Sequence, residues 1–168
     1  MNTEQLIDLL CQPQSYPHPV EVITTIETHI SVVFLTGQYA YKLKKPVDFG
    51  FLNFTRVEDR ERFCLQELRL NRRTAPDLYI DVVPIYINSD HQIGFLPDPQ
   101  MGSTTKPIDF LVKMNQFEPS WVLGRYLNDH QLSAEQEQLL AQRIANLHRN
   151  ANTVDPESHL GEPETILQ

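Results

Sequence analysis

The hydrophobic pattern changes period several times along this chain, and each change marks an element. Residues 3–11 put Leu6, Leu9 and Leu10 on one side of a short helix, which the proline-rich stretch Gln12–Pro19 ends. Val20–Ile26 is rich in β-branched residues and reads as a strand. After the polar break Glu27-Thr28-His29, Ser31–Leu35 reads as a second strand. Thr36-Gly37-Gln38 supplies a tight turn, and Tyr39–Lys45 is a third strand stopped by Pro46. These three pieces predict an antiparallel meander.

The period then lengthens. Thr55-Arg56-Val57-Glu58 has the spacing of a capping box and predicts a helix running to about Arg73, before Ala75-Pro76 stops it. Projected at about 100° per residue, Val57, Phe63, Cys64, Leu68 and Leu70 cover one side of this helix. Glu67 projects between Phe63 and Cys64, inside the apolar stripe. Alternation returns in a second hairpin, Ile80–Ile87 and Gln92–Leu96, turned at Asn88-Ser89-Asp90. The loop Pro97–Pro107 leads to a further strand, Ile108–Met114. A second capping box, Ser133 to Gln136, opens a helix with Leu140, Ile144, Leu147 and Ala151 at helical spacing, and the tail from Asn152 is polar. Strands, one helix, more strands and then helices predict an α+β fold, not the alternation of a doubly wound sheet. Residues 1–117 would form an antiparallel sheet with a packed helix, and 118–168 the start of a helical region.

Composition narrows the possibilities. The chain has 168 residues, 40% apolar and 21% charged, which suits a globular domain with its own core. A net charge of −8 disfavours nucleic acid and anionic membranes as partners, although basic residues cluster at Lys42, Lys44 and Lys45 and at Arg69, Arg72 and Arg73. Cys11 and Cys64 suggest neither a disulfide framework nor a metal motif. There is no membrane-length apolar run and no basic-then-apolar leader, so a cytoplasmic setting is expected.

Candidate chemistry centres on one strand and one helix. Ala40 and Lys42 share a face of their strand, so a small side chain beside a lysine leaves room for a flat base while the ammonium reaches a phosphate. A glutamate inside an apolar stripe costs several kcal/mol, roughly, if left charged and unpaired. Lys42 on the sheet beneath is the expected partner of Glu67. Arg60 projects to the same side but lies two turns away along the helix. The alternatives are a solvated lysine at a charged edge and a glutamate that reaches water. Thr28 and Ser31, in the first hairpin, carry hydroxyls able to donate to phosphate oxygens, though such residues are common in turns. Asp48-Phe49-Gly50 spells the magnesium-binding tripeptide of protein kinases, but it precedes the helix and reads as a bend. No residue is assigned as catalytic or as a metal ligand.

Several segments together resemble one bacterial family. They are Thr28–Ser31, Phe34–Gly37, Tyr41–Leu52, Glu67–Arg73 and Ala75–Tyr79, and the run Lys42-Leu-Lys-Lys-Pro-Val-Asp-Phe-Gly-Phe-Leu52 is the most specific. The family is the aminoglycoside-phosphotransferase-like group, whose longer members carry a P-loop ATPase domain. The resemblance runs from about Pro19 to Leu147, with Gly161–Ile166 extending it. It implies a protein-kinase-like small lobe, followed by the first helices of a large lobe, and ATP-dependent phosphoryl transfer with Mg-ATP. By the same resemblance Lys42 is the phosphate-binding lysine and Glu67 its helix partner. Thr28 to Ser31 is the phosphate-covering loop, and Val112 to Phe117, with Lys113, Met114 and Asn115, the hinge that would bond adenine. A His-Gly-Asp-type catalytic loop and its downstream metal ligands have no counterpart after Leu147. The chain is therefore expected to be an N-terminal part, inactive alone, with metal ligands, the remaining lobe and a P-loop domain elsewhere. An exposed apolar patch near Val122, Leu127 and Leu147 is expected where that lobe would dock. A noncatalytic kinase-like binding or regulatory module, or an acidic interaction domain, would fit the same composition.

Overall fold

A computed structural model of the chain describes residues 1–101 and 106–158. The proposed match at Gly161–Ile166, part of the loop Pro97–Pro107 and the end of the polar tail lie outside the described residues. The chain divides into two units, Met1–Trp121 and a second beginning at Val122.

The first unit opens with α1 (Thr3–Leu10), which Asn2 and Gln5 cap reciprocally. Then come β1 (Thr24–Glu27), β2 (Ser31–Leu35) and β3 (Tyr39–Lys44). Helix α2 (Val57–Asn71) follows, then β4 (Tyr79–Ile87), β5 (Ile93–Gly94) and β6 (Asp109–Asn115). The six strands form one antiparallel sheet in the order β1-β2-β3-β6-β4-β5. The last strand in the chain thus lies at the centre, with Ala40 beside Met114 and Lys42 beside Val112 on one flank, and Val82 beside Val112 on the other.

Strand alternation sorts the residues onto two faces. Val32, Phe34, Tyr41, Leu43 and Leu111 are buried together with Leu6 and Leu10 of α1 and with Tyr16. Ala40, Val112 and Met114 look the other way and pack with Cys64 of α2. The fold class is α+β, with an antiparallel sheet carrying a helix on each face.

Several local expectations change, and the strand expected over Gln92–Leu96 shortens to Ile93–Gly94. The first strand is shorter than Val20–Ile26, beginning only at Thr24. The expected capping box of α2 does not form: Arg56 is the N-cap, and the Thr55 hydroxyl donates to Asn53 Oδ1 at 2.6 Å. Leu70, placed on the apolar side by projection, is exposed near the helix end. The Asp48-Phe49-Gly50 tripeptide is a bend, as its position suggested. Asp48 accepts from the Gly50 amide and from Asn53 Nδ2, both at 2.9 Å, and Gly50 has φ +80°. Both carboxylate oxygens of Asp48 are therefore engaged within the loop.

The second unit holds α3 (Leu123–Asp129) and α4 (Ala134–Arg149). Ser133 and Gln136 form the capping box that the sequence predicts. Val122, Leu127, Leu140 and Ile144 are exposed, whereas Leu147 is half-buried. Among the described residues no helix is long and apolar enough to cross a membrane.

Candidate functional site

Helix α2 presents Arg60, Cys64, Glu67 and Leu68 to the sheet, a spacing that makes one stripe along the helix. Two of these four residues are charged, and each finds its counter-ion on the sheet. Arg60 Nε donates to both oxygens of Asp109, at 2.9 and 3.0 Å, and Nη1 donates to the Phe54 and Thr55 carbonyls. Arg60 and Asp109 are both buried. This pair ties the first half of α2 to the start of β6.

Further along the helix, Lys42 Nζ donates to Glu67 Oε1 at 2.7 Å. Lys44 Nζ donates to the other oxygen, Oε2, at 2.5 Å. Lys42 and Lys44 are two apart on β3, so alternation brings both onto the α2 face. Their environments differ. The Lys42 side chain is 26% exposed, that of Lys44 only 7%, and the carboxylate between them 13%. Lys44 also lies over the Phe54 ring, its ammonium 5.1 Å from the centroid. Burial pushes the Glu67 carboxyl upward, but the hydrogen bonds from Lys42 and Lys44 outweigh it and leave the carboxyl below its ordinary value. The neighbouring Cys64 thiol is pushed up to about 12, chiefly by burial.

That lowered value gives Glu67 a defined effect on stability. Its contribution is complete above the unfolded value, near 4.5, and is lost as pH falls through the lowered folded one. Wild-type protein is therefore expected to lose melting temperature below about pH 4.5 faster than Glu67→Gln does. Asp109, whose carboxyl burial raises, shifts stability in the opposite sense, but it is common to both proteins and cancels in the comparison. Thermal melts of the two proteins between pH 3 and 7, roughly the carboxylate range, read the difference. Parallel curves would remove Glu67 from the acid response.

Ala40 lies one row up the sheet from Lys42. It is buried with Met114, and Val33, Leu35, Leu78 and Tyr79 pack against the same cluster. An open groove of about 700 Å³ reaches Lys42 and is walled by Thr28, His29, Ser31, Phe49 and Phe51. Phe51 is 90% exposed and stacks on Phe49, with ring centroids 6.3 Å apart.

The structure brings some of the sequence candidates together and separates others. Lys42, Ala40, Glu67 and Met114 share the α2 face. Thr28 and Ser31 sit at the groove, but their hydroxyls are 2.9 Å apart, and Thr28 Oγ1 also bonds the Ser31 amide and carbonyl. These hydroxyls shape the turn. Lys45 reinforces it, donating to the Thr28 carbonyl at 2.8 Å and to Glu27. Lys113 falls on the opposite face, its ammonium 3.9 Å from the centre of the Tyr39 ring. The Asn115 amide donates to Leu78 and the Gln116 amide to Gln38, so the sheet already uses these hinge-region donors.

Sequence reasoning overlooked Lys44 and the Arg60–Asp109 pair. The period-2 rule that placed Ala40 beside Lys42 also placed Lys44 there. Asp109 was visible as a lone acid in an apolar strand, opposite a lone arginine in an apolar stripe.

Comparison with known proteins adds relatives without a function. Uncharacterized proteins of Mycobacterium tuberculosis and Mycobacterium bovis are 44% identical to this chain over 120 residues, 70% of its length. The match covers 19% of each relative, so the chain spans about a fifth of the curated proteins it resembles. No family model matches the chain. No solved structure matches it either.

Proposed function

We propose that this chain is the nucleotide-holding part of an aminoglycoside-phosphotransferase-like small-molecule kinase, built as a protein-kinase-like small lobe. The observation that carries the reading is the Lys42–Glu67 bond at 2.7 Å, formed between a central strand and an inward-facing helix residue beside an open groove. Such a pair aims an ammonium at phosphate oxygens and keeps it charged. The surroundings suit a polyphosphate. Two lysines around one carboxylate leave an excess positive charge, and the groove that reaches Lys42 carries the exposed rings of Phe49 and Phe51 as apolar surface for a base. Mg-ATP would supply the transferable phosphoryl group. Lys42 would orient its phosphates, and Glu67 would hold Lys42 beside the groove until they arrive.

The reading leaves the catalytic base and the magnesium ligands to a large lobe outside these residues, with a P-loop ATPase domain as a further candidate partner and the cytoplasm as the setting. The much greater length of the mycobacterial relatives supports that division. The phosphate acceptor is a small molecule. Titration calorimetry tests the proposal: the folded chain is expected to bind Mg-ATP weakly, and Lys42→Ala to abolish the heat. Wild-type protein that gives no heat at millimolar Mg-ATP would overturn it.

A further inference from the structure

We infer that Lys44 is a positioning residue of this site: it holds the Glu67 carboxylate permanently, so that Lys42 can leave Glu67 for an anion. The inference rests on the nucleotide reading for its ligand, but not for its geometry. Each lysine bonds a different oxygen of Glu67, Lys42 at 2.7 Å to Oε1 and Lys44 at 2.5 Å to Oε2, so they do not compete for one acceptor. Their freedom to move is unequal. Lys42 is a quarter exposed and opens onto the groove, whereas Lys44 is nearly buried and lies over Phe54.

The charges explain why a second lysine is needed. A single lysine–glutamate pair is neutral, and an incoming phosphate would have to break it and leave a half-buried carboxylate unpaired. Leaving one partner of a buried pair alone is strongly unfavourable. With Lys44 in place, Glu67 keeps one charged donor whichever way Lys42 turns. The incoming anion therefore meets a net positive site. The other titratable groups that face this cluster are Cys64, Tyr79 and Asp109, and Asp109 is occupied by Arg60. None of them replaces Lys44 as a donor to Glu67.

Two readouts on the full 168-residue chain test this. The first is the Glu67 carboxyl titration followed by carbon-13 NMR without nucleotide. Lys42→Met is expected to leave Glu67 titrating below its ordinary value, and Lys44→Met to move it upward by more. The second is Mg-ATP affinity, expected to fall about tenfold in Lys44→Met and to recover in Lys44→Arg, which restores a charged donor. Lys44→Gln keeps a donor without the charge. It is the second variant should methionine prevent folding, and the same two shifts are expected. An unchanged Glu67 titration in the Lys44 variants overturns the inference, as does their unchanged Mg-ATP affinity when the wild-type chain binds. If wild-type protein binds no Mg-ATP, the nucleotide reading falls while the titration still judges Lys44.

Discussion

Asp109→Ala is expected to destabilise the protein by about 3–5 kcal/mol, the usual cost of removing one partner from a buried ion pair. The carboxylate takes three contacts from the Arg60 guanidinium, all between 2.9 and 3.0 Å, and both side chains are buried. Without it the guanidinium keeps only the Phe54 and Thr55 carbonyls, and its charge remains in a low-dielectric wall. Domains of ordinary stability hold roughly 5–15 kcal/mol in total, so the variant should show a much lower urea midpoint. The double change Arg60→Met with Asp109→Leu is expected to recover most of the loss, because an apolar pair of similar volume carries no unmet charge. A shift below about 1 kcal/mol in the single variant would mean that water reaches the pair.

Glu67→Ala is expected to lower Mg-ATP affinity by roughly ten- to a hundredfold, as for loss of a charged hydrogen bond. The opposite sign needs weighing, since deleting an acid beside a phosphate site strengthens the simple Coulomb attraction. Two consequences defeat that gain. Lys44, nearly buried, loses its counter-ion and is left as an unpaired charge beneath the helix. Lys42 loses the carboxylate that holds it beside the groove before the anion arrives and regains the rotamer freedom of a four-carbon side chain, about 2 kcal/mol of entropy to be given up on binding. Glu58, exposed on the same helix, is the control, and Glu58→Ala should leave affinity unchanged. Calorimetry on both variants decides, and equal effects would remove the special role of Glu67.

How far these residues were legible differs by kind. Ser31–Leu35 was read to the residue, and Tyr39–Lys45 runs one residue past the strand, because alternating burial on a two-faced sheet writes itself directly into the sequence. The helix start at Val57 was misjudged. Thr55 has the right chemistry for a cap, but its amide and hydroxyl both donate to Asn53 Oδ1, which holds it in the preceding turn one residue short of the N-cap, and sequence spacing carries no trace of that turn. The Lys42–Glu67 contact was inferable because a charge in an apolar stripe demands a partner. The same logic was not applied to Arg60, which was weighed only as a rival partner for Glu67, so its own counter-ion across the sheet was missed. The placement of β6 between β3 and β4 could not be read from patterning, since periodicity describes faces and not neighbours.

That placement governs how the domain can be assembled during synthesis. A ribosome that has released only the chain up to Ile87 has freed β1 to β3 and β4, yet no strand to join them. Both inner edges then stay unpaired until residue 115 leaves the exit tunnel, and an open edge recruits other chains as readily as its own. Fragments ending before Asp109 should accordingly aggregate, while fragments that include Asn115 should stay dispersed.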